Sequence, residues 1–245
     1  MADVNTIRTS AGSRAAQIDE GLRAHMNKVY ATMSVGMLIT FAVAWAVGTA
    51  PALLSVFRDP ATLQPNILGW IVMFAPLGMV FMFGAMINKF SAAAAQTFFY
   101  VFAAVMGLSI AWIFVAFTGM SIAQIFLITA ISFAGLSLYG YTTKKDISGW
   151  GSFLIMGVIG LIVAMIVNIF LASPAIMFAI SILGVLIFAG LTAYDTQNIK
   201  NTYLAHAHHG DQEWLAKSGI MGALSLYLNF INMFMFLLQL FGSRE

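Results

Sequence analysis

The segment Gly190-Leu-Thr-Ala-Tyr-Asp-Thr-Gln-Asn-Ile-Lys200 ends a long apolar run in a carboxylate, and its setting decides how the chain is read. Residues 182–193, just before it, carry no charge. Every other Asp or Glu lies outside the apolar runs, in the N-terminal segment, a connecting loop or the C-terminus. An ionised Asp at the centre of a membrane helix costs ~2.5–3.5 kcal/mol. Asp195 therefore either ends its helix at the headgroup level or faces a polar cavity between helices.

The surrounding composition sets the class. The 245 residues are 61% hydrophobic and 8% charged, with a mean hydropathy of +0.91. Soluble domains carry about 25% charged residues, so the chain reads as an all-α integral membrane protein whose main partner is the lipid bilayer. No span of sequence is left for a separate soluble domain, and no nucleic-acid partner is expected. The absence of Cys excludes disulfides, thiolate metal sites and cysteine nucleophiles. The 16 Met and 21 Phe suit adaptable packing between helices and contact with lipid.

Residues 1–28 form a polar, mixed-charge segment, and 29–245 a membrane domain. The N-terminal segment lacks the charged region, apolar core and small-residue cleavage site of a secretory signal. A short surface helix is expected over Ile18–Met26. Runs of about 20 apolar residues place seven spans near 29–50, 67–87, 93–116, 121–141, 150–171, 174–194 and 220–241. Pro76 falls inside the second span and predicts a kink; Pro174 opens the sixth, where its missing N–H is harmless. With the N-terminus inside, nine basic residues (Arg8, Arg14, Arg23, Lys28, Lys89, Lys144, Lys145, Lys200 and Lys217) face the cytoplasm and only Arg58 and Arg244 the other side. By the positive-inside rule, the N-terminus is cytoplasmic and the C-terminus periplasmic. Gly135, Gly140, Gly157, Gly160, Gly184 and Gly190 are the candidates for close helix contacts.

The catalytic possibilities fall away, and no enzyme activity is expected. Tyr194-Asp195 matches half of an intramembrane aspartyl-protease pair, but no other span contains an acid to share the proton. All four His lie outside the spans, so an intramembrane serine protease lacks its base. No phosphate-cradling glycine loop is present, and no cofactor is expected. In the 201–219 connection, His206, His208 and His209 precede Asp211 and Glu213. That cluster is either a solvated, pH-responsive loop or a metal site if the loop folds around an ion.

The last span reads Leu224-Ser-Leu-Tyr-Leu-Asn-Phe-Ile-Asn-Met233. Asn229 and Asn232, three apart, share a helix face with Ser225. Amides at this depth need partners, either neighbouring helices or an ion pathway. Asn229 lies ~13 Å along the axis from Ile220, a depth at which it can meet Asp195.

The chain resembles the transmembrane Bax inhibitor motif family, and its bacterial inner-membrane members most. The resemblance covers nearly everything after the N-terminal segment. It rests on Ile87-Asn-Lys, Ala104-Val-Met-Gly-Leu-Ser109, the Asp-Thr-Gln segment from Gly190 to Gln197, Leu226-Tyr-Leu-Asn-Phe-Ile-Asn232 and Leu240-Phe-Gly-Ser-Arg244. It implies two inverted three-helix layers around a central last helix, and a pH-sensitive Ca²⁺ leak gated by two Asp. Asp195 matches the first; the second falls on Asn229, a departure from the family pattern. The basic residue that family members carry near the end of the second helix is also displaced, with Met86 there and Lys89 beyond. The expected function is an ion leak with Ca²⁺ as the transported ion and Asp195, Asn229, Asn232 and Ser225 at the pathway or gate. The alternative is a non-transporting regulator of a membrane-anchored ATP-dependent protease, or another interaction protein of the stress response, with the N-terminal segment as its docking element.

Overall fold

The computed structural model describes residues 2–59, 62–207 and 211–244, and side chains from residue 17 onward. The order is α1 (Ala2–Gly48), α2 (Pro51–Leu54), α3 (Ile67–Met86), α4 (Ala92–Ile110), α5 (Ile113–Ala116), α6 (Gly119–Thr142), α7 (Trp150–Leu171), α8 (Pro174–His206) and α9 (Gln212–Phe241). Seven of these segments are long and apolar enough to cross a membrane, with α4 and α5 forming one of them. Their limits follow local signals. Asn66, Ser91, Thr118 and Ser173 cap α3, α4, α6 and α8, each accepting a backbone N–H three residues on. Between α7 and α8, Ala172 takes a left-handed conformation, and Asn168 Oδ1 accepts the Ser173 N–H at 3.1 Å.

Four boundaries differ from the hydropathy reading. The helix expected over Ile18–Met26 is part of α1, which continues unbroken into the first span. The third span breaks at 111–112, where the Ala111 carbonyl lies against Gly48 of α1. The 201–219 connection is mostly helix: α8 runs on to His206 and α9 begins at Gln212. Hydropathy marks where the chain leaves lipid, whereas hydrogen bonds and packing mark where a helix ends. The α3 helix runs through Pro76. The Ser109 hydroxyl of α4 donates to the nearby Met73 carbonyl at 3.4 Å, in the turn where proline removes a donor.

The last helix is the most enclosed. Two-thirds of the α9 span is buried (67%), against 17% for α3 and α7. It packs against α1, α4, α6 and α8, while α3 rests on α4 and α7 on α8. A helix apolar on nearly all sides must be surrounded by others, and α9 buries Ala223, Leu226, Tyr227, Phe230, Met233 and Leu238. Tyr227 sits at the centre with no exposed surface, its ring edge-on to Phe99 and Phe102 of α4. Its hydroxyl donates to Thr40 Oγ1 at 2.6 Å, and Thr40 donates to the Ala103 carbonyl at 2.8 Å. That chain ties α9, α1 and α4 together with no polar atom left over.

The glycines divide. At Gly140 a Cβ would strike the Ala193 carbonyl, so α6 and α8 meet there backbone to backbone. Gly157, Gly184 and Gly190 receive Ile187, Phe236 and Leu154 side chains. Gly135 and Gly160 face open space and mark no contact within the chain. The C-terminus is fastened at the end of the bundle far from residues 21–25. Thr118 N–H donates to the Ser243 carbonyl at 3.0 Å, and Ser243 N–H to Ser121 Oγ at 2.9 Å.

Candidate functional site: a lone carboxylate between the last two long helices

The polar turns that extend α8 and α9 are held by specific contacts. The Gln197 amide grips the α6–α7 connection from both sides. Its Oε1 accepts the Ile147 N–H at 2.9 Å, and its Nε2 donates to the Lys145 carbonyl at 2.7 Å. Lys200 Nζ donates to the Tyr141 carbonyl at 2.8 Å and lies 5.4 Å from that ring's centroid. Within the same connection Asp146 accepts the Ser148 N–H at 2.9 Å. Hydrogen bonds from the Ser148 side chain and backbone hold its carboxyl below the usual carboxylate range. Asp211 caps α9 by accepting the Trp214 N–H at 2.9 Å. Glu213 reaches across to accept the Ala92 N–H of α4 at 2.6 Å. Both acids complement the positive end of a helix dipole.

Within this frame Asp195 and Asn229 meet. Asn229 Nδ2 donates to Asp195 Oδ2 at 2.6 Å, the short distance of a charge-assisted bond. Asn229 is 4% exposed and Asp195 half-buried. Asp195 does not end its helix; α8 continues for eleven residues beyond it, to His206. The carboxylate therefore faces a neighbouring helix rather than free solvent. Among the described residues it has no cationic partner within ion-pair distance, and Lys200 is turned to the Tyr141 carbonyl. One neutral amide is its partner.

The other sequence candidates are placed elsewhere. Asn232 Nδ2 donates to the Leu228 carbonyl of its own helix at 2.8 Å, which satisfies the amide without joining the pair. Ser225 is half-buried a turn away and makes no bond to either residue. His206 ends α8 with its Nδ1 at 3.0 Å from the Thr202 carbonyl and its ring stacked on Trp214, centroids 4.0 Å apart. His208 and His209 lie outside the described residues. Among the described residues no group of three His, Asp or Glu is arranged to hold a metal.

One polar feature next to the pair escaped the sequence reading. Thr196 Oγ1 donates to the Thr192 carbonyl at 2.8 Å and so accepts from Ser137 Oγ at 3.0 Å. Ser137 in turn accepts from the Tyr30 hydroxyl at 2.5 Å. This row of hydroxyls runs from α1 through α6 to the residue after Asp195. Hydroxyls in apolar helices look like packing residues, because Ser and Thr satisfy themselves on the preceding turn. The available signal was the four-residue spacing of Thr192 and Thr196.

Comparison with known proteins finds a family and close relatives along nearly the whole chain. The family described as "Inhibitor of apoptosis-promoting Bax1" matches residues 22–245. A Caulobacter vibrioides protein is 46% identical over 231 residues, covering 93% of this chain and 92% of its own length. Inner membrane protein YbhL of Escherichia coli K12 is 43% identical over 225 residues, covering 92% and 94%. Protein RP147 of Rickettsia prowazekii is 40% identical over 234 residues, covering 95% of each chain.

Proposed function

This chain belongs to the Bax inhibitor-like family, and we propose that it is a non-enzymatic membrane ion-leak protein with Ca²⁺ as its cargo. The observation that carries the reading is the Asp195–Asn229 bond at 2.6 Å, between α8 and α9. A carboxylate inside a helix bundle is costly, and such residues mark ion or proton pathways in membrane proteins. A hard cation seeks carboxylate and amide oxygens. Rotating the Asn229 amide turns its oxygen toward the same point as Asp195. In the bonded arrangement the amide hydrogen occupies the carboxylate, so the pair reads as closed.

Ca²⁺ flux into proteoliposomes containing only this protein is the expected result. Asp195→Asn, which keeps the shape and removes the charge, should lower it to the level of empty liposomes. Absence of flux from the pure wild-type protein at every pH tested would overturn the leak reading. It would favour the regulator of a membrane-anchored protease.

The proposed setting is the bacterial inner membrane, in line with the name of YbhL, with the N-terminus cytoplasmic. Nine of the 11 basic residues on one side support that orientation. The chain has no Cys, so a single cysteine at Ser243 reports one site alone. It should label only from the periplasmic side; labelling only from the cytoplasm would reverse the topology.

A further inference from the structure

The bundle is open along one seam. Helices α1 and α6 both pack on α9 but form no extended contact with each other. Between them lies a cavity of about 1470 Å³. Its lining on α1 runs from Arg23 to Trp45, ~33 Å at 1.5 Å per residue. That exceeds the ~30 Å hydrocarbon core of a bilayer.

The chemistry changes along this groove. Its floor is Phe230, Ile231 and Phe234 of α9. On α6, Ala123, Ala130 and Ala134 leave a trough where larger side chains would fill it. The hydroxyls of Tyr30, Ser137 and Thr40 that reach the wall are already bonded to protein partners. An apolar cavity offers water too few partners to hold it, so in a membrane the middle of the groove belongs to hydrocarbon. At one end stand Arg23 and Asn27, a turn apart on α1, and Tyr141. Lys144 and Lys145 follow Tyr141 on the α6–α7 connection. Arg23 is exposed, and among the described residues no ion pair engages it, although Asp19 and Glu20 lie a turn earlier. On the α6–α7 connection Asp146 accepts the Ser148 N–H and makes no ion pair with Arg23.

We infer that the α1–α6 groove is a binding site for an anionic phospholipid, its phosphate at Arg23 and Asn27 and an acyl chain along the α6 trough. Guanidinium matches phosphate in bidentate geometry. Basic pockets between membrane helices on the cytoplasmic side select acidic headgroups. The inference stands apart from the ion-leak reading and needs no conduction.

Native mass spectrometry of the full chain in detergent, titrated with phosphatidylglycerol or with phosphatidylcholine of the same acyl chains, tests it. One phosphatidylglycerol should be retained under conditions that strip phosphatidylcholine. Arg23→Gln, at an exposed position that leaves the core untouched, should weaken that binding about fivefold, the value of one basic residue near an acidic headgroup. Ala130→Trp should fill the trough and remove retained lipid. Equal retention of the two lipids, unchanged by Arg23→Gln, would mean boundary lipid only and overturn the site. A dimer that Ala130→Trp dissociates would overturn it too, because a second copy would then be the occupant. If Ala130→Trp does not fold, the headgroup comparison and Arg23→Gln still decide.

Discussion

Asn229→Asp should produce a protein whose Ca²⁺ flux rises with pH more steeply than that of the wild type, and adding Asp195→Asn should erase the gain. The geometry is already in place, because Asn229 Nδ2 and Asp195 Oδ2 are 2.6 Å apart and Asp is nearly isosteric with Asn. Two unit charges ~4 Å apart interact by about 4 kcal/mol at an effective dielectric of about 20. Both carboxylates cannot carry charge at low pH. They hold one proton between them and titrate as a unit. A shared proton keeps the pair joined as the amide hydrogen does now. Its loss at higher pH leaves two charges that repel each other and attract a divalent cation. In the double variant Asp195→Asn with Asn229→Asp, one carboxylate again faces one amide, so the single-charge behaviour should return. Flux measured against pH for the wild type, both single variants and the double variant separates the gate from simple damage. A well-folded Asn229→Asp protein with the wild-type pH profile would show that the two positions do not gate anything.

The largest loss of stability is expected from Tyr227→Ala. The ring has no exposed surface and is wedged between Phe99 and Phe102. In water-soluble cores such truncations of large aromatic residues cost about 3–5 kcal/mol, part of it transfer from water and part the cavity left behind. A membrane protein unfolded within lipid loses little of the transfer part, because the ring stays in an apolar medium. The cavity part remains, because Tyr227 is wholly buried and is not among the residues that line the α1–α6 groove. About 2–4 kcal/mol is therefore expected. Tyr227→Phe keeps the ring and removes only the bond to Thr40, for about 0.5–1.5 kcal/mol. Thr40 still donates to the Ala103 carbonyl, so no donor is stranded. Thermal unfolding in one detergent, with ligand-free protein, compares the two. Equal losses would mean that the hydroxyl chain, not ring packing, holds α9 against α1 and α4.

The same two regions show what was legible in advance. The seven membrane segments could be read from residue order because each is a local transfer free energy summed over about 20 residues. The solitary position of Asp195 followed from counting acids. Caps such as Ser91, Thr118 and Ser173 could be found the same way, since a cap is decided within four residues. The ends of α8 and α9 could not, because Gln197 bonds to residues 145 and 147 and Glu213 to Ala92. Helix there depends on partners about 50 and 120 residues away.

Spacing put Asn229 and Asn232 on one face, but only the rotation of α9 against α8 selects Asn229 as the partner of Asp195 and returns Asn232 to the Leu228 carbonyl. That rotation is set by rings around α9: Tyr227 against Phe99 and Phe102, and Phe230 against Phe126 and Phe133. The sequence alone determined a seven-span membrane protein with one acid in its apolar runs. Tertiary packing decided which amide meets that acid and where the bundle stays open, because both depend on how neighbouring helices turn and how closely they approach, and no local sum over residues contains either quantity.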